Sequence, residues 1–420
     1  MSPVRRTVLF IVTSYWAYGE LAIATEFARR MAGTGFRPLF LIPPSHRELI
    51  AGAGLEHQLL VPGARKINRI LLQDIQHVHR PALVVLADFM NFAFCDRHYG
   101  LCRDDLSIFD CPVGTFDDFA WGRPGAWLDT YGFRAKHQDE ITLDGLAFRL
   151  RPCPLNHPAE LVTEPDVHPY PLLESVAELD RTDRAGVRRE FGLTGGRPVV
   201  LVTGATWQRM HAAYPRVTAF VGACHTMLER LLTRLLGYAD VVAVGPQLVF
   251  RDGAPPGFHP LGPLEPDRFR RLIQTVDLHI SNNIVSVSLH RLALAGVPSV
   301  VLMSSLFKQD GEVRWVGRAG PPALTGSAGP VVAGTDYLYP FRMFPVGWYH
   351  FLHSLLAGNP FGELVPELEV FDEAAGLATI VPMLEAGPER ARLARVREQY
   401  LESLRKLPEI DTILRQLGAP

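Results

Sequence analysis

The chain predicts two Rossmann-like α/β domains with parallel sheets, and three observations carry that expectation. At 420 residues it is longer than one ordinary hydrophobic core supports. Its strand segments read as continuous apolar runs rather than alternating ones, as strands buried on both faces must. A strand, polar turn, helix pattern opens each half, and strands alternate with helical periodicity after both openings.

Val8 to Val12 is the first apolar run. It leads into the polar, aromatic turn Thr13 to Gly19, after which Leu21, Ile23, Ala24, Phe27, Ala28 and Met31 recur at helical spacing. Gly33 and Gly35 stop that helix, and Pro38 to Ile42 is the next strand. Ala82 to Ala87 predicts a further buried strand ending at Asp88, and Asp110 to Gly114 a short strand and turn. Six prolines between Pro152 and Pro171 mark an interdomain linker. Beyond it, Glu178 to Glu190 predicts a charged helix. Pro198 to Gly204 then repeats the opening strand and glycine turn, and a long helix over Arg216 to Leu236 precedes the strand Asp240 to Val244. The rest alternates: helix Phe269 to Thr275, strand Leu278 to Ile280, helix Val287 to Ala295, strand Ser299 to Met303. The expected boundaries are 1–170 for an N-terminal domain, 171–370 for a C-terminal one, and 371–420 for closing helices, of which Pro388 to Arg405 is the charged example.

Composition narrows the function classes. A formal charge of −2, with no Lys/Arg-rich run, argues against nucleic acid as a partner. No stretch approaches the roughly 20 apolar residues of a spanning helix, and the short run after Arg5 and Arg6 is no signal-peptide core, so a cytoplasmic location is expected. Five cysteines without CxxC or zinc spacing should be reduced, and fifteen histidines without an HExxH pattern predict no structural metal. No GxGxxG follows either opening strand, which speaks against a dehydrogenase.

In open parallel sheets ligands bind beyond the carboxyl ends of the strands, so polar residues after strands carry the information. Thr13-Ser-Tyr-Trp-Ala-Tyr-Gly-Glu20 resembles the first loop of GT-B glycosyltransferases, where a strand is followed by a Gly-His pair and a helix. Gly19 and Glu20 fall where that glycine and catalytic histidine lie. The resemblance implies two domains facing each other across a cleft, and Glu20 as the base that takes the acceptor's hydroxyl proton; desolvation would tune its pKa. An acid in a helix's first turn also simply complements the helix dipole. Asp88, Asp117 and Asp118 follow strands in the same half, where such residues either assist a base or close turns.

Thr203-Gly-Ala-Thr206 matches the family's glycine-containing turn beside the donor diphosphate, which makes Gly204 and Thr206 candidate contacts. The most specific stretch runs from Leu261-Gly-Pro-Leu264 through Asp277-Leu-His-Ile-Ser-Asn-Asn283 and Ser286-Val-Ser288 to Leu294-Ala-Gly-Val-Pro298. It resembles the donor-binding segment of macrolide-type members. Aligned on Ala295-Gly-Val-Pro298, it puts Asn283 at the family's histidine, Ser288 at its hydroxyl position and Arg291 at its ribose-binding glutamate. Asn282, Asn283 and Ser286 join the anion site at this helix start, although the two asparagines would equally suit a helix cap. Ile284 and Val285 replace two glycines, and an arginine cannot accept a hydrogen bond from a ribose hydroxyl. Gln309 and Asp310 fall near the family's sugar-reading Asp-Gln pair, in reverse order. Tyr337 to Phe361, rich in aromatics, offers an apolar acceptor surface or packing between domains.

The resemblance therefore implies an inverting, metal-independent glycosyltransferase with a nucleotide-diphosphate sugar as co-substrate, no cofactor, and a hydroxylated or aromatic small-molecule acceptor. Two alternatives stand beside it: a non-catalytic GT-B-like auxiliary or binding protein, and a sugar-nucleotide epimerase-like enzyme. The sequence leaves a homodimer open.

Overall fold

The computed structural model describes residues 5–121, 123, 127–134, 142–158, 164–173, 179–193, 195–209, 214–245, 250, 253–318, 322, 324 and 328–418. It divides into two compact units. The first is Met1–Ala126, Lys136–Glu174 and Glu402–Pro420; the second is Trp127–Ala135 and Ser175–Leu401.

The first unit is built on seven strands: β1 (Arg6–Ile11), β2 (Phe36–Ile42), β3 (His57–Leu59), β4 (Leu83–Leu86), β5 (Val113–Phe116), β6 (Phe148–Cys153) and β7 (Val167–Pro171). They lie in the order 3-2-1-4-5-6-7, all parallel. The run at β1 is apolar throughout because both of its faces are covered. Leu9 and Ile11 enter one cluster with Leu39, Leu41, Leu72, Ile75, Val84 and Leu86. Phe10, pointing the other way as strand pleating requires, packs on Phe27, Phe40 and Phe116, with ring centroids 6.0, 5.0 and 6.2 Å away. Phe27 comes from the helix Gly19–Arg29, whose apolar stripe was legible in the sequence.

Two expectations fail in this unit. The proline-rich stretch is no linker: Pro152, Pro169 and Pro171 lie in β6 and β7, which pair Pro152 with Tyr170 and close the sheet. Asp110 to Gly114 holds only the start of its strand, which runs on to Phe116. The closing segment also divides, because the helix Ile410–Gly418 belongs with the first unit while Glu373–Leu384 and most of Pro388–Leu404 belong with the second.

The second unit repeats the plan with β8 (Val199–Thr203), β9 (Asp240–Val244), β10 (Phe258–Leu261), β11 (Leu278–Ser281), β12 (Ser299–Met303) and β13 (Glu367–Glu369), in the order 10-9-8-11-12-13, again all parallel. The long helix Pro215–Leu235 places Phe220 against Tyr339, Phe341 and Phe371. Expected strands and helices here coincide with observed ones to within about three residues. The charged helix is shorter than expected, Arg184–Glu190, and Glu178 lies outside the described residues.

Part of the aromatic stretch after Tyr337 enters a small sheet of the second unit, where Phe341–Met343, Gly347–Trp348, Asp129–Thr130 and Phe133–Arg134 pair antiparallel. Among the described residues no helix is long and apolar enough to cross a membrane, and all five cysteines are free thiols.

Candidate functional site

The order 3-2-1-4-5 reverses the direction of winding between β1 and β4, and in open parallel sheets such a reversal is where ligands bind, beyond the carboxyl ends of the strands. Three residues singled out in the sequence come to this place. Glu20 opens the helix after β1, Asp88 follows β4, and Asp118 follows β5.

Asn91 ties the first two together. Its backbone N–H donates to Asp88 Oδ1 at 2.8 Å, making Asp88 the side-chain cap of the helix Phe89–Phe94. Its side-chain Nδ2 donates to Glu20 Oε1 at 2.5 Å. Glu20 Oε2, Asp118 Oδ1 and the hydroxyl of Ser14, on the loop after β1, are buried and have no hydrogen-bond partner. Asp117 lies outside this unpaired set, since its carboxylate takes Arg151 Nε at 2.9 Å and the Trp121 N–H at 2.9 Å. Asn156 fixes the neighbouring backbone by donating from Nδ2 to the Asp118 carbonyl at 2.9 Å.

Three acids whose carboxyl groups are withdrawn from water in this way cannot all ionise cheaply. Burial, then Asp88, then Asp118 push the Glu20 carboxyl well above its ordinary value, against smaller opposing pulls that include the Asn91 amide. Burial, then Asp88 and Asp117 push Asp118 well up in the same way. Asp88 is raised to about 7, chiefly by burial, with the Asn91 and Met90 amides holding it down and Asp117 pushing it up. At neutral pH the set therefore holds protons that exposed carboxyls would release, and Asp88 titrates in the range a base needs. Around it the β1 loop is held in shape by His46, whose fully buried ring lies 3.1 Å from the Ala17 carbonyl through Nε2. Tyr15 stacks on His98 at 4.1 Å, and Tyr18 lies against His46 at 4.8 Å.

The corresponding reversal in the second unit falls between β8 and β11, and its contents differ. Here several backbone amides at the strand ends are engaged within the protein. Gly204 N–H donates to the Val244 carbonyl at 3.3 Å, and Ala205 N–H to Gln208 Oε1 at 2.9 Å. Asn283 N–H donates to Ser281 Oγ, Val285 N–H to Asn283 Oδ1 and Ser286 N–H to the Asn283 carbonyl. Asn282 folds over Gly204 so closely that a Cβ there would stand 2.8 Å from its Nδ2, while its own Oδ1 is buried without a partner. Gln208 Nε2 fastens the turn by donating to the carbonyls of Asn282 and Phe344 at 3.0 and 2.6 Å.

The residue that caps the helix Val287–Leu294 is Ser286, whose Oγ accepts from Leu289 N–H, and not the asparagine pair. Asn283 instead makes an Asx turn one step earlier. Ser288 and Arg291 sit half-buried on this helix. Thr206 opens a 3-10 turn, Thr206–Arg209, and its side chain lies outside the described residues. Gln309 and Asp310 are exposed at the tip of an antiparallel hairpin, Leu306–Gln309 with Glu312–Trp315, in which Asp310 at φ 52° and Gly311 at φ 81° make the two-residue turn. Among the described residues no three His, Cys, Asp or Glu side chains are grouped to hold a metal ion.

Asn91, Asn156, Gln208 and Ser14 were missed by sequence reasoning. Only Asn91 left a signal there, as the third residue after an aspartate at a strand end.

Two Rossmann-like units with these winding reversals are the fold of the GT-B glycosyltransferases. SnogD, a glycosyltransferase from Streptomyces nogalater, is 14% identical over 99% of this chain and 99% of its own, with a TM-score of 0.50. The spinosyn rhamnosyltransferase SpnG complexed with thymidine diphosphate is 13% identical, covering 98% and 99%, at 0.53. Arabidopsis thaliana UGT89C1 complexed with quercetin is 11% identical, covering 99% of both, at 0.55. No curated protein matches the chain in sequence. The chain belongs to the family of unknown function DUF6365, whose model matches residues 27–419.

Proposed function

We propose that this protein transfers a glycosyl group from a nucleoside-diphosphate sugar to a hydroxyl of a small-molecule acceptor, with inversion and without a metal ion. The observation that carries the reading is the convergence of Glu20, Asp88 and Asp118 at the winding reversal of the first sheet, two of them with a buried oxygen left unpartnered. In this scheme an acceptor hydroxyl approaches the set, an ionised carboxylate of the Glu20–Asp88 pair takes its proton, and the acceptor oxygen bonds to the anomeric carbon. The bond from that carbon to the diphosphate breaks, and the diphosphate leaves with the electron pair. Glu20, more open than Asp88, is the member that meets the acceptor, and Asp88 stores or accepts the proton beside it.

The second unit supplies the donor site in this reading, with Gly204, Thr206, Asn282, Asn283, Ser286, Ser288 and Arg291 as its candidate contacts. Gln309 and Asp310 are retained as sugar contacts of weaker standing, given their place at a hairpin tip. The test is turnover of UDP-, TDP- and GDP-sugars with a panel of phenolic and aliphatic alcohols. Glu20→Gln is expected to lower kcat by about 10²–10⁴, and transfer should persist in EDTA. Transfer by the wild type that survives both Glu20→Gln and Asp88→Asn unchanged would end the assignment.

A second reading has its own support. Because the amides of Gly204, Ala205, Asn283, Val285 and Ser286 are already bonded within the protein, an anion reaching for them would have to displace those partners. That suits a protein that keeps the fold and binds or assists another enzyme. Titration with UDP, TDP and GDP separates the two: selective binding weakened by Ser288→Ala or Arg291→Ala supports the transferase, and a folded protein that binds none supports the auxiliary.

A further inference from the structure

The opposite edge of the second sheet, at the amino ends of its strands, holds an arginine-lined cavity that the proposed transferase does not use. It measures about 370 Å³ and is lined by Arg184, Arg188, Gly196, Arg197, Asp277 and Leu384, with Pro198 at the base of β8. Arg184 and Arg188 lie one turn apart on the helix Arg184–Glu190, so both reach the same side. Arg197 enters from the loop before β8.

Two aspartates anchor the cluster. Asp277 accepts from Arg184 and from the Val199 N–H, and stands 3.5 Å from Arg181. Asp240 stands 3.5 Å from Arg197 and 3.9 Å from Arg188. Four guanidiniums thus face two carboxylates, and no other carboxylate among the described residues lies within ion-pair distance of them. Arg390 adds a fifth guanidinium, donating to the Asp277 and Leu384 carbonyls; burial, outweighing nearby Asp277, and repulsion from Arg181 and Arg184 lower its pKa. Backbone carbonyls hold the forks in place: Arg188 donates to Leu193, Gly195 and Arg197, and Arg197 to Leu236. Such groups are pre-organised yet electrically under-compensated, and they line an open surface cleft.

We infer that this cavity binds a small polyanion bearing two or more phosphate groups. The guanidinium N–H groups that those carbonyls and aspartates leave over can donate to phosphate oxygens, and a multivalent anion compensates the surplus charge where a single carboxylate leaves part of it. The site is independent of the transferase reading, since it stands on the edge of the sheet away from the strand ends where ligands of this fold bind.

The experiment is calorimetric titration of the full chain with inorganic pyrophosphate at constant ionic strength, against Gly196→Glu and Arg188→Gln. Gly196 is exposed, has open space around its Cβ position and needs no unusual backbone, so Gly196→Glu adds a negative side chain at the cavity without removing any bond. Saturable binding by the wild type, weakened at least tenfold in Gly196→Glu and in Arg188→Gln but kept in Ser288→Ala, is the expected result. No saturable binding overturns the inference. So does binding that Gly196→Glu leaves intact, or that Ser288→Ala abolishes instead, because the ion would then sit at the carboxyl edge.

Discussion

Glu20, Asp88 and Asn91 show how one amide can tune two acids. By donating to Glu20 Oε1, Asn91 favours the ionised form, so Asn91→Ala should raise the Glu20 pKa further and move the acidic limb of the pH–rate profile upward. A purely structural role for Asn91 would change the amount of folded protein and leave that limb in place. Asp88 makes a second prediction whose sign follows from proton linkage. Its folded value of about 7 exceeds the ordinary aspartate value of 3.8, so the folded state binds the extra proton between those limits. Stability from this group is present below about pH 4 and lost as pH rises to about 7. Asp88→Asn keeps an acceptor for the Asn91 N–H and removes that loss. Chemical denaturation should show it more stable than the wild type at pH 8 by about 1–4 kcal/mol, with little or no gain at pH 4. Equal gains at both values would mean that the carboxyl is not titrating in the fold.

At the scale of the element, local chemistry and tertiary demand can be told apart. The hairpin over Leu306 to Trp315 depends on Gly311 at φ 81°, a left-handed conformation that costs a side chain about 1 kcal/mol. Gly311→Ala should lower the melting temperature by a few degrees, and Gln309→Ala beside it should not. Gly114 in β5 answers to packing instead, because a Cβ there would run into the Phe148 ring on β6. Gly114→Val should cost more than the roughly 1–3 kcal/mol typical of overpacking and reduce soluble expression. The reason is that strand backbones cannot part without breaking the ladder. The prolines of β6 and β7 carry the same lesson. Pro152, Pro169 and Pro171 read as a linker in sequence, yet β7 is the edge strand and Pro152 lies beyond the part of β6 that pairs with β5, so a missing N–H is tolerable at each.

Across the whole molecule each unit closes its own core. Phe27 belongs to the aromatic stack on β1 and Phe220 to the one under Tyr339, Phe341 and Phe371. Truncating a buried phenylalanine costs about 3–5 kcal/mol. Scanning calorimetry should therefore resolve two transitions, with Phe27→Ala lowering one and Phe220→Ala the other. A single transition shifted equally by both would show that the units unfold as one body. The chain also crosses between units more than once: Trp127–Ala135 leaves the first half of the sequence to join the second unit's small sheet, and Glu402–Pro420 returns to the first.

The amino-acid sequence by itself determined the class of fold. Double burial writes a strand as an apolar run, a one-sided helix writes a stripe, and both signals are local, so β1, β2, β4, β8, β9, β11 and β12 could be read from them. It also placed Glu20, Asp88 and Asp118 at strand ends, because polar residues after apolar runs are conspicuous. Whether those acids meet was decided by strand order, which is a matter of contacts between residues up to a hundred positions apart. Only tertiary structure could join Asn91 to Glu20, run the last two strands of the first sheet through the prolines, and commit amides around Asn282 to partners inside the protein. These are pairings between distant, individually unremarkable residues, and nothing in the local pattern records them.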